Sequence, residues 1–167
     1  LQDAFLGLSP VLALTGHKSN LQQARNAYQE IEHSKPFAST TKFSAVVDSV
    51  NDLPGLLHQA FREATTGAPA PVHLDFEGIC RQVVEDGEAD LYILLESSFI
   101  HRPAFRPEPE PGRVREAAQI LANAQRPVIV AGGGVTSSGA QQELVELAEL
   151  LNIPVATVSY THLTLPT

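Results

Sequence analysis

The chain has 167 residues (17.9 kDa), of which 43% are apolar and 18% charged, with 11 Gly, 12 Pro, one Cys and no Met. That balance excludes disordered, collagen-like and coiled-coil polymers, and the length allows either one domain or two incomplete ones. A formal charge of −8 opposes the phosphate contacts that supply most nucleic-acid affinity, the lone Cys80 cannot close an internal disulfide, and no apolar run nears the roughly 20 residues that span a bilayer.

The opening Leu1-Gln2-Asp3-Ala4-Phe5 reads like the middle of a helix and lacks an initiator methionine, so the sequence is expected to be a fragment. It carries no signal-peptide pattern, which with the cysteine count points to a cytoplasmic setting. Ser9-Pro10 breaks the first segment, and Val11-Leu12-Ala13-Leu14 is a short apolar run ending at Thr15-Gly16, as in a strand buried on both faces of a parallel sheet. Residues 17–41 are polar, with helical character from Leu21 to Ile31, and Pro36 bars a helix from passing it. Residues 42–47 form a second strand candidate. Asp52 is placed to cap a helix whose Leu53, Leu56, Leu57, Ala60, Phe61 and Ala64 share one face; Pro54 is tolerated in its first turn and Gly67 ends it. Residues 71–76 give a third strand and complete a β-α-β unit.

From Glu77 the periodicity dissolves. Residues 77–90 are acidic and irregular, and Pro103, Pro107, Pro109 and Pro111 crowd a short stretch, so 77–111 reads as a proline-rich linker. Beyond it, Val114, Ala117, Ala118, Leu121 and Ala122 form one helix face, residues 127–131 a strand, Gly132-Gly133-Gly134 a tight connection, Leu144, Leu147, Ala148 and Leu151 the inner face of another helix, and 153–158 a further strand. The expected fold is therefore α/β: two partial three-layer parallel-sheet domains joined by the linker, one over 1–76 and the other over 112–158.

The glycine triplet is the first chemical candidate, because glycines between a strand and a helix let a phosphate approach the backbone. Ser137 stands where the dinucleotide fingerprint needs its last glycine, so a standard NAD site is disfavoured and a plain tight turn competes with a ligand site. Tyr28-Gln29-Glu30 follows the first strand on the side where parallel sheets bind ligands, although a solvated helix face is the commoner use of such residues. His17, Lys18, His33 and Lys42 could line the same edge, but the six histidines show no metal-ligand spacing, and His58 and His73 read as structural. Residues 77–90 lack the ligand spacing of a calcium loop.

Taken in order, Asp3-Ala4-Phe5, residues 10–16, Ala27-Tyr28-Gln29-Glu30, Thr41-Lys42, Leu53-Pro54, Ala60-Phe61-Arg62, Gly67, residues 71–75 and Arg126 through Gly134 resemble the thiamine-diphosphate-dependent enzymes, closest to the acetolactate synthase large subunits. The resemblance implies that 1–76 is the rear of the pyrimidine-binding domain and 112–158 the front of the Rossmann-like central domain. It implies thiamine diphosphate and Mg2+ as cofactors, with the activating glutamate lying before Leu1 and the Gly-Asp-Gly metal motif beyond residue 167. Gln29 matches an active-site glutamine and would position substrate; Tyr28 stands where relatives often carry Phe; Lys42 matches a lysine near the substrate channel. Gly132, Gly133 and Gly134 match a loop that touches FAD in the flavin-containing members. His17-Lys18 departs from the pair common in acetolactate synthases. The implied parent reaction is decarboxylation or carboligation of a 2-oxo acid substrate in a homodimer or homotetramer, with a regulatory subunit as a further partner and branched-chain amino acid biosynthesis as its setting; neither nucleic acid nor membrane is expected as a partner. Alternatives are a non-catalytic nucleotide-binding module using the glycine loop, and a fragment too incomplete to fold stably. Residues 159–167 abandon the family pattern, resemble a translated sequencing-adapter tail, and are assigned no function.

Overall fold

The computed structural model describes residues 1–18, 24–28, 30–77 and 96–158. Gln29, most of the expected linker (78–95) and the atypical tail (159–167) lie outside the described residues. The chain divides into two compact units, Leu1–Ala104 and Phe105–Thr167.

The first unit begins with a short helix, α1 (Gln2–Leu6), and then forms strand β1 (Leu12–His17), a one-turn helix α2 (Ser34–Phe37), strand β2 (Phe43–Val47), helix α3 (Leu53–Thr65) and strand β3 (Val72–Glu77). The strands pair in parallel in the order β1-β3-β2, so β3 is central. The register sets Leu14, Leu74 and Ala45 side by side, and one step further Thr15, Asp75 and Val46. Because side chains alternate across a strand, this register builds two unlike faces. Val72, Leu74 and Val47 meet Ala60 and Ala64 of α3 in a buried cluster, flanked by Leu12, Phe43, Leu53, Leu56, Leu57 and Phe76. The opposite face carries Ala13, Thr15 and His17 of β1 with His73 and Asp75 of β3.

Several local expectations change. β1 runs through Thr15 and Gly16 to His17 rather than stopping at Leu14. The described parts of 21–31 are not helical, and Pro36 lies inside α2. It sits in the first turn, where backbone N–H groups have no intrahelical partner and a missing one costs nothing. Asp52 makes no side-chain cap: residues Val50–Asp52 form a 3-10 turn that runs into α3, and Ser49 accepts from the Asn51 N–H instead, at 3.3 Å. Gly67, at φ +57°, turns the chain out of α3 in the left-handed conformation that disfavours side chains.

Part of the stretch read as linker is fastened to this unit. Arg62 of α3 forms an ion pair with Glu96 and lies over the Phe99 ring, 5.7 Å from its centre, and the Ala104 N–H donates to the Thr65 carbonyl at 2.9 Å.

The second unit comprises α4 (Pro111–Ala122), β4 (Ile129–Ala131), α5 (Gly133–Ser138), α6 (Gln141–Leu151) and β5 (Val155–Thr157), with β4 and β5 parallel. Its helices form where the periodicity predicts, but their inner faces are poorly covered. Val114 and Leu147 are exposed, Leu121 is half-buried, and only Ala131 and Ile153 are buried hydrophobics among the described residues of this unit.

Candidate functional site

β3 brings a polar network into an otherwise apolar sheet. His73 is fully buried and stacks on Phe37 of α2, ring centres 3.7 Å apart and planes nearly parallel. Its Nε2 lies 2.7 Å from Thr15 Oγ1 and its Nδ1 2.8 Å from Ser44 Oγ. Thr15 Oγ1 donates its one proton to Asp75 Oδ1 at 2.6 Å. A hydroxyl that has spent its proton can only accept from the ring, so Nε2 of His73 bears the hydrogen and Nδ1 accepts from Ser44. The network is thus ordered from Ser44 through His73 and Thr15 to the Asp75 carboxylate. Burial keeps His73 below the ordinary imidazole pKa and therefore neutral, against the pull of the Asp75 charge.

Asp75 is buried and ends this network near the carboxyl edge of the sheet, where parallel sheets present their ligand sites. His33, just before α2, donates from Nδ1 to Asp75 Oδ1 at 3.0 Å. His17, at the end of β1, brings Nδ1 to 3.2 Å from Asp75 Oδ2, close enough for charge attraction but not aligned as a hydrogen bond. That nitrogen is the one buried side-chain polar atom without a hydrogen-bond partner among the described residues. Burial works to raise the Asp75 pKa, but the hydrogen bonds from Thr15 and His33 and the nearby His33 and His17 hold it below the usual carboxylate value. An open cleft of about 280 Å³ lies over this corner, lined by His17, His33, Asp75, Glu32 and Asp48 among others.

Of the residues singled out from sequence, His17 and His33 meet here, and the others described do not. Gln29 lies outside the described residues. Tyr28 is 78% exposed in a turn rather than on a helix face. That turn is organised by Glu30, whose carboxylate accepts from the Ala27 N–H at 2.9 Å and from the Ala24 N–H. These backbone bonds lower its pKa. Lys42 precedes β2, at the amino end of the sheet, and its Nζ donates to the carbonyls of Thr66 and Ala68 at 2.6 and 3.3 Å, tying down the turn after α3. Gly132 leads from β4 into α5, and Gly133 and Gly134 form its first turn. A Cβ on Gly133 or Gly134 would meet nothing within 4 Å, and neither has a positive φ. Neither packing nor backbone strain within the chain therefore demands glycine at those two positions. Among the described residues no group of three or more His, Cys, Asp or Glu could hold a metal ion, and no helix is long and apolar enough to cross a membrane.

The sequence reading set His17 and His33 at this edge but missed Thr15 and Asp75. A signal was present: His73 and Asp75 are two apart in a strand otherwise apolar on both sides, and Thr15 and His17 repeat that spacing in β1.

Comparison with known proteins bears on both units. The family model described as thiamine pyrophosphate enzyme, central domain, matches residues 114–167. The protein named "Probable acetolactate synthase large subunit" in Methanocaldococcus jannaschii is 38% identical over 156 residues, 92% of this chain and 26% of that protein. The acetolactate synthase of Mycobacterium bovis is 35% identical over 159 residues, 94% of this chain and 25% of its own length. The acetolactate synthase large subunit of Corynebacterium glutamicum is 32% identical, again over 94% of this chain, and 24% of its length is covered. The chain thus spans about a quarter of the length of the curated relatives it matches. An X-ray structure from Mycobacterium smegmatis, described as a thiamin diphosphate-dependent enzyme, superposes with a TM-score of 0.73 over 95% of this chain and 29% of that one; at 22% identity it speaks for the fold alone. The second unit thus matches the central domain of thiamine pyrophosphate enzymes, and both units are similar to acetolactate synthase large subunits.

Proposed function

We propose that this chain is part of a thiamine-diphosphate-dependent enzyme of the acetolactate synthase kind, one that decarboxylates a 2-oxo acid and passes the two-carbon unit to a second 2-oxo acid. The observation that carries the reading is the similarity, over more than nine-tenths of the chain and so across both units, to proteins named acetolactate synthase. The rear of a pyrimidine-binding domain over 1–76, a linker over 77–111 and the front of a central domain over 112–158 is the corresponding division.

Thiamine diphosphate, when bound, supplies the carbanion and the electron sink for cleaving the bond to the carboxylate. In this reading the Mg2+ and diphosphate ligands are the ones the resemblance sets outside this sequence. Within the chain, Gln29 is the proposed positioning residue for substrate, with Tyr28 as its neighbour in sequence. Lys42 enters by its match alone, since its ammonium is occupied by two carbonyl oxygens. The test is the enzyme that contains this stretch, supplied with thiamine diphosphate and Mg2+ and assayed for pyruvate consumption and acetolactate formation. Release of CO2 without acetolactate would reassign it to a decarboxylase; consumption of neither pyruvate nor another 2-oxo acid would end the reading. In the active enzyme Gln29→Ala is expected to lower turnover with an unchanged melting transition, and unchanged kinetics would remove Gln29 from the site.

For Gly132, Gly133 and Gly134 we propose contact with FAD or another nucleotide. The support is the open space over Gly133 and Gly134, glycines that the chain's own packing does not require. Titration with FAD, ADP and thiamine diphosphate separates the readings: saturable binding of a nucleotide alone favours the non-catalytic module. Assembly into a homodimer or homotetramer, a regulatory subunit, a cytoplasmic setting and a part in branched-chain amino acid biosynthesis complete the proposal.

A further inference from the structure

We propose that His33, oriented by Asp75, is a proton-accepting group that serves a small ligand bearing an O–H or N–H in the cleft at the carboxyl edge of the three-stranded sheet. All the side chains involved belong to the first unit, and the role is independent of the thiamine reading.

A carboxylate can only accept, so the 3.0 Å contact from His33 Nδ1 to Asp75 Oδ1 requires the hydrogen on Nδ1. The neutral ring then presents a bare lone pair at Nε2, which makes no hydrogen bond to any described residue. His33 lines the cleft, and its side chain keeps 17% of its surface while the Asp75 side chain keeps 7%. A buried acceptor behind an imidazole whose far nitrogen is open is the arrangement that fixes the tautomer of a catalytic histidine and stabilises the imidazolium formed when it takes a proton. Asp75 is held in place by the Thr15 hydroxyl from the neighbouring strand, so the carboxylate end of the pair rests on sheet.

The remaining cleft chemistry selects the ligand. Asp48 adds an acceptor, and Glu32 is already paired with Lys35 at 2.6 Å. Acceptors therefore outnumber donors, and a hydroxyl or amino group fits better than an anion. In the step itself, the ligand O–H or N–H bond breaks, its electron pair stays on the ligand atom, and the proton goes to His33 Nε2. Asp75 stays ionised and balances the imidazolium through the Nδ1 hydrogen. His17 closes the other side of the carboxylate, and its unbonded Nδ1 marks this corner as one whose hydrogen bonds are incomplete in the ligand-free chain.

The test uses the whole 167-residue chain, with ring-nitrogen NMR and with diethyl pyrocarbonate as the probe, a reagent that acylates an unprotonated imidazole nitrogen. The spectrum is expected to show His33 as the Nδ1–H tautomer; an Nε2–H tautomer overturns the proposal. Peptide mapping is expected to show acylation of His33 slowed about tenfold or more by Asp75→Asn, with the exposed His101 unchanged. One common rate for all histidines, or a His33 rate indifferent to Asp75→Asn, overturns the proposal. A structural histidine would be protected in the native chain and acylated only after unfolding. Should Asp75→Asn fail to fold, the tautomer and the native-state acylation of His33 in the unsubstituted chain decide.

Discussion

At the scale of single residues, the buried polar network makes stability depend on pH in a direction that follows from its two shifted groups. His73 binds its proton less readily folded than unfolded, so the unfolded chain takes up more protons below the ordinary value of 6.5 and stability falls as the pH drops through that point. Asp75 is held below 3.8, so its contribution is complete above that value and is lost as the pH falls through the folded one. Both act in the same direction, in separate windows. Urea midpoints are expected to decline between about pH 7 and about pH 5, before any carboxylate titrates; a flat profile there would contradict the neutral, buried His73. Thr15→Val keeps the side-chain shape but strips Asp75 of a donor and leaves the Nε2 hydrogen of His73 without an acceptor. It is expected to cost about 1–3 kcal/mol by urea denaturation, the penalty for orphaning a buried polar group. Very little of this was legible in the sequence, because neither partner of Asp75 is its chain neighbour: Thr15 lies 60 residues away and His33 lies 42 away. Periodicity exposes which residues share a strand face, while contacts across strands depend on register.

At the scale of elements, strands and helices were legible wherever an apolar stripe had a surface to bury it against. α3 is the clearest case: of the predicted face, Leu53, Leu56, Leu57, Ala60 and Ala64 pack on the sheet, while Phe61 stays exposed. Leu74 sits at the centre of that contact with no exposed surface, and Leu74→Ala is expected to destabilise by about 2–5 kcal/mol. Where the reading missed, the cause was short-range hydrogen bonding that propensity does not register, as in the Glu30 carboxylate that accepts from the Ala24 and Ala27 N–H groups. Glycines in the two units should respond in opposite ways. Gly67→Ala places a Cβ at φ +57° and is expected to cost about 1–2 kcal/mol in thermal unfolding. Gly133→Ala meets open space at the start of a helix and is expected to be neutral or to stabilise by up to about 1 kcal/mol, while weakening any FAD titration. A loss of stability equal to that of Gly67→Ala would mean that Gly133 serves the fold alone.

At the scale of the whole molecule, the two units differ in how much they bury. The first has a sheet packed against α3 and a strand whose residues 72–75 are buried in succession. The second has two three-residue strands, and Val128, Val130 and Leu150 are more than half exposed. Hydrogen exchange is expected to be slowest at the β3 amides and much faster at β4 and β5, since local opening costs little where few apolar contacts must be broken. Equal protection in both would show that the second unit is more tightly packed than its exposed side chains indicate. The two unlike sides of β3 also restrict how the chain can assemble. Sliding β3 by one residue against β1 would turn His73 and Asp75 onto Ala60 and Ala64 and push Val72 and Leu74 onto the polar side, burying a charge against hydrocarbon. The residues that equip the cleft therefore also veto the nearest wrong alignment, so that the pairing of segments 60 residues apart in the chain is selected by the cost of its closest competitor as well as by its own contacts.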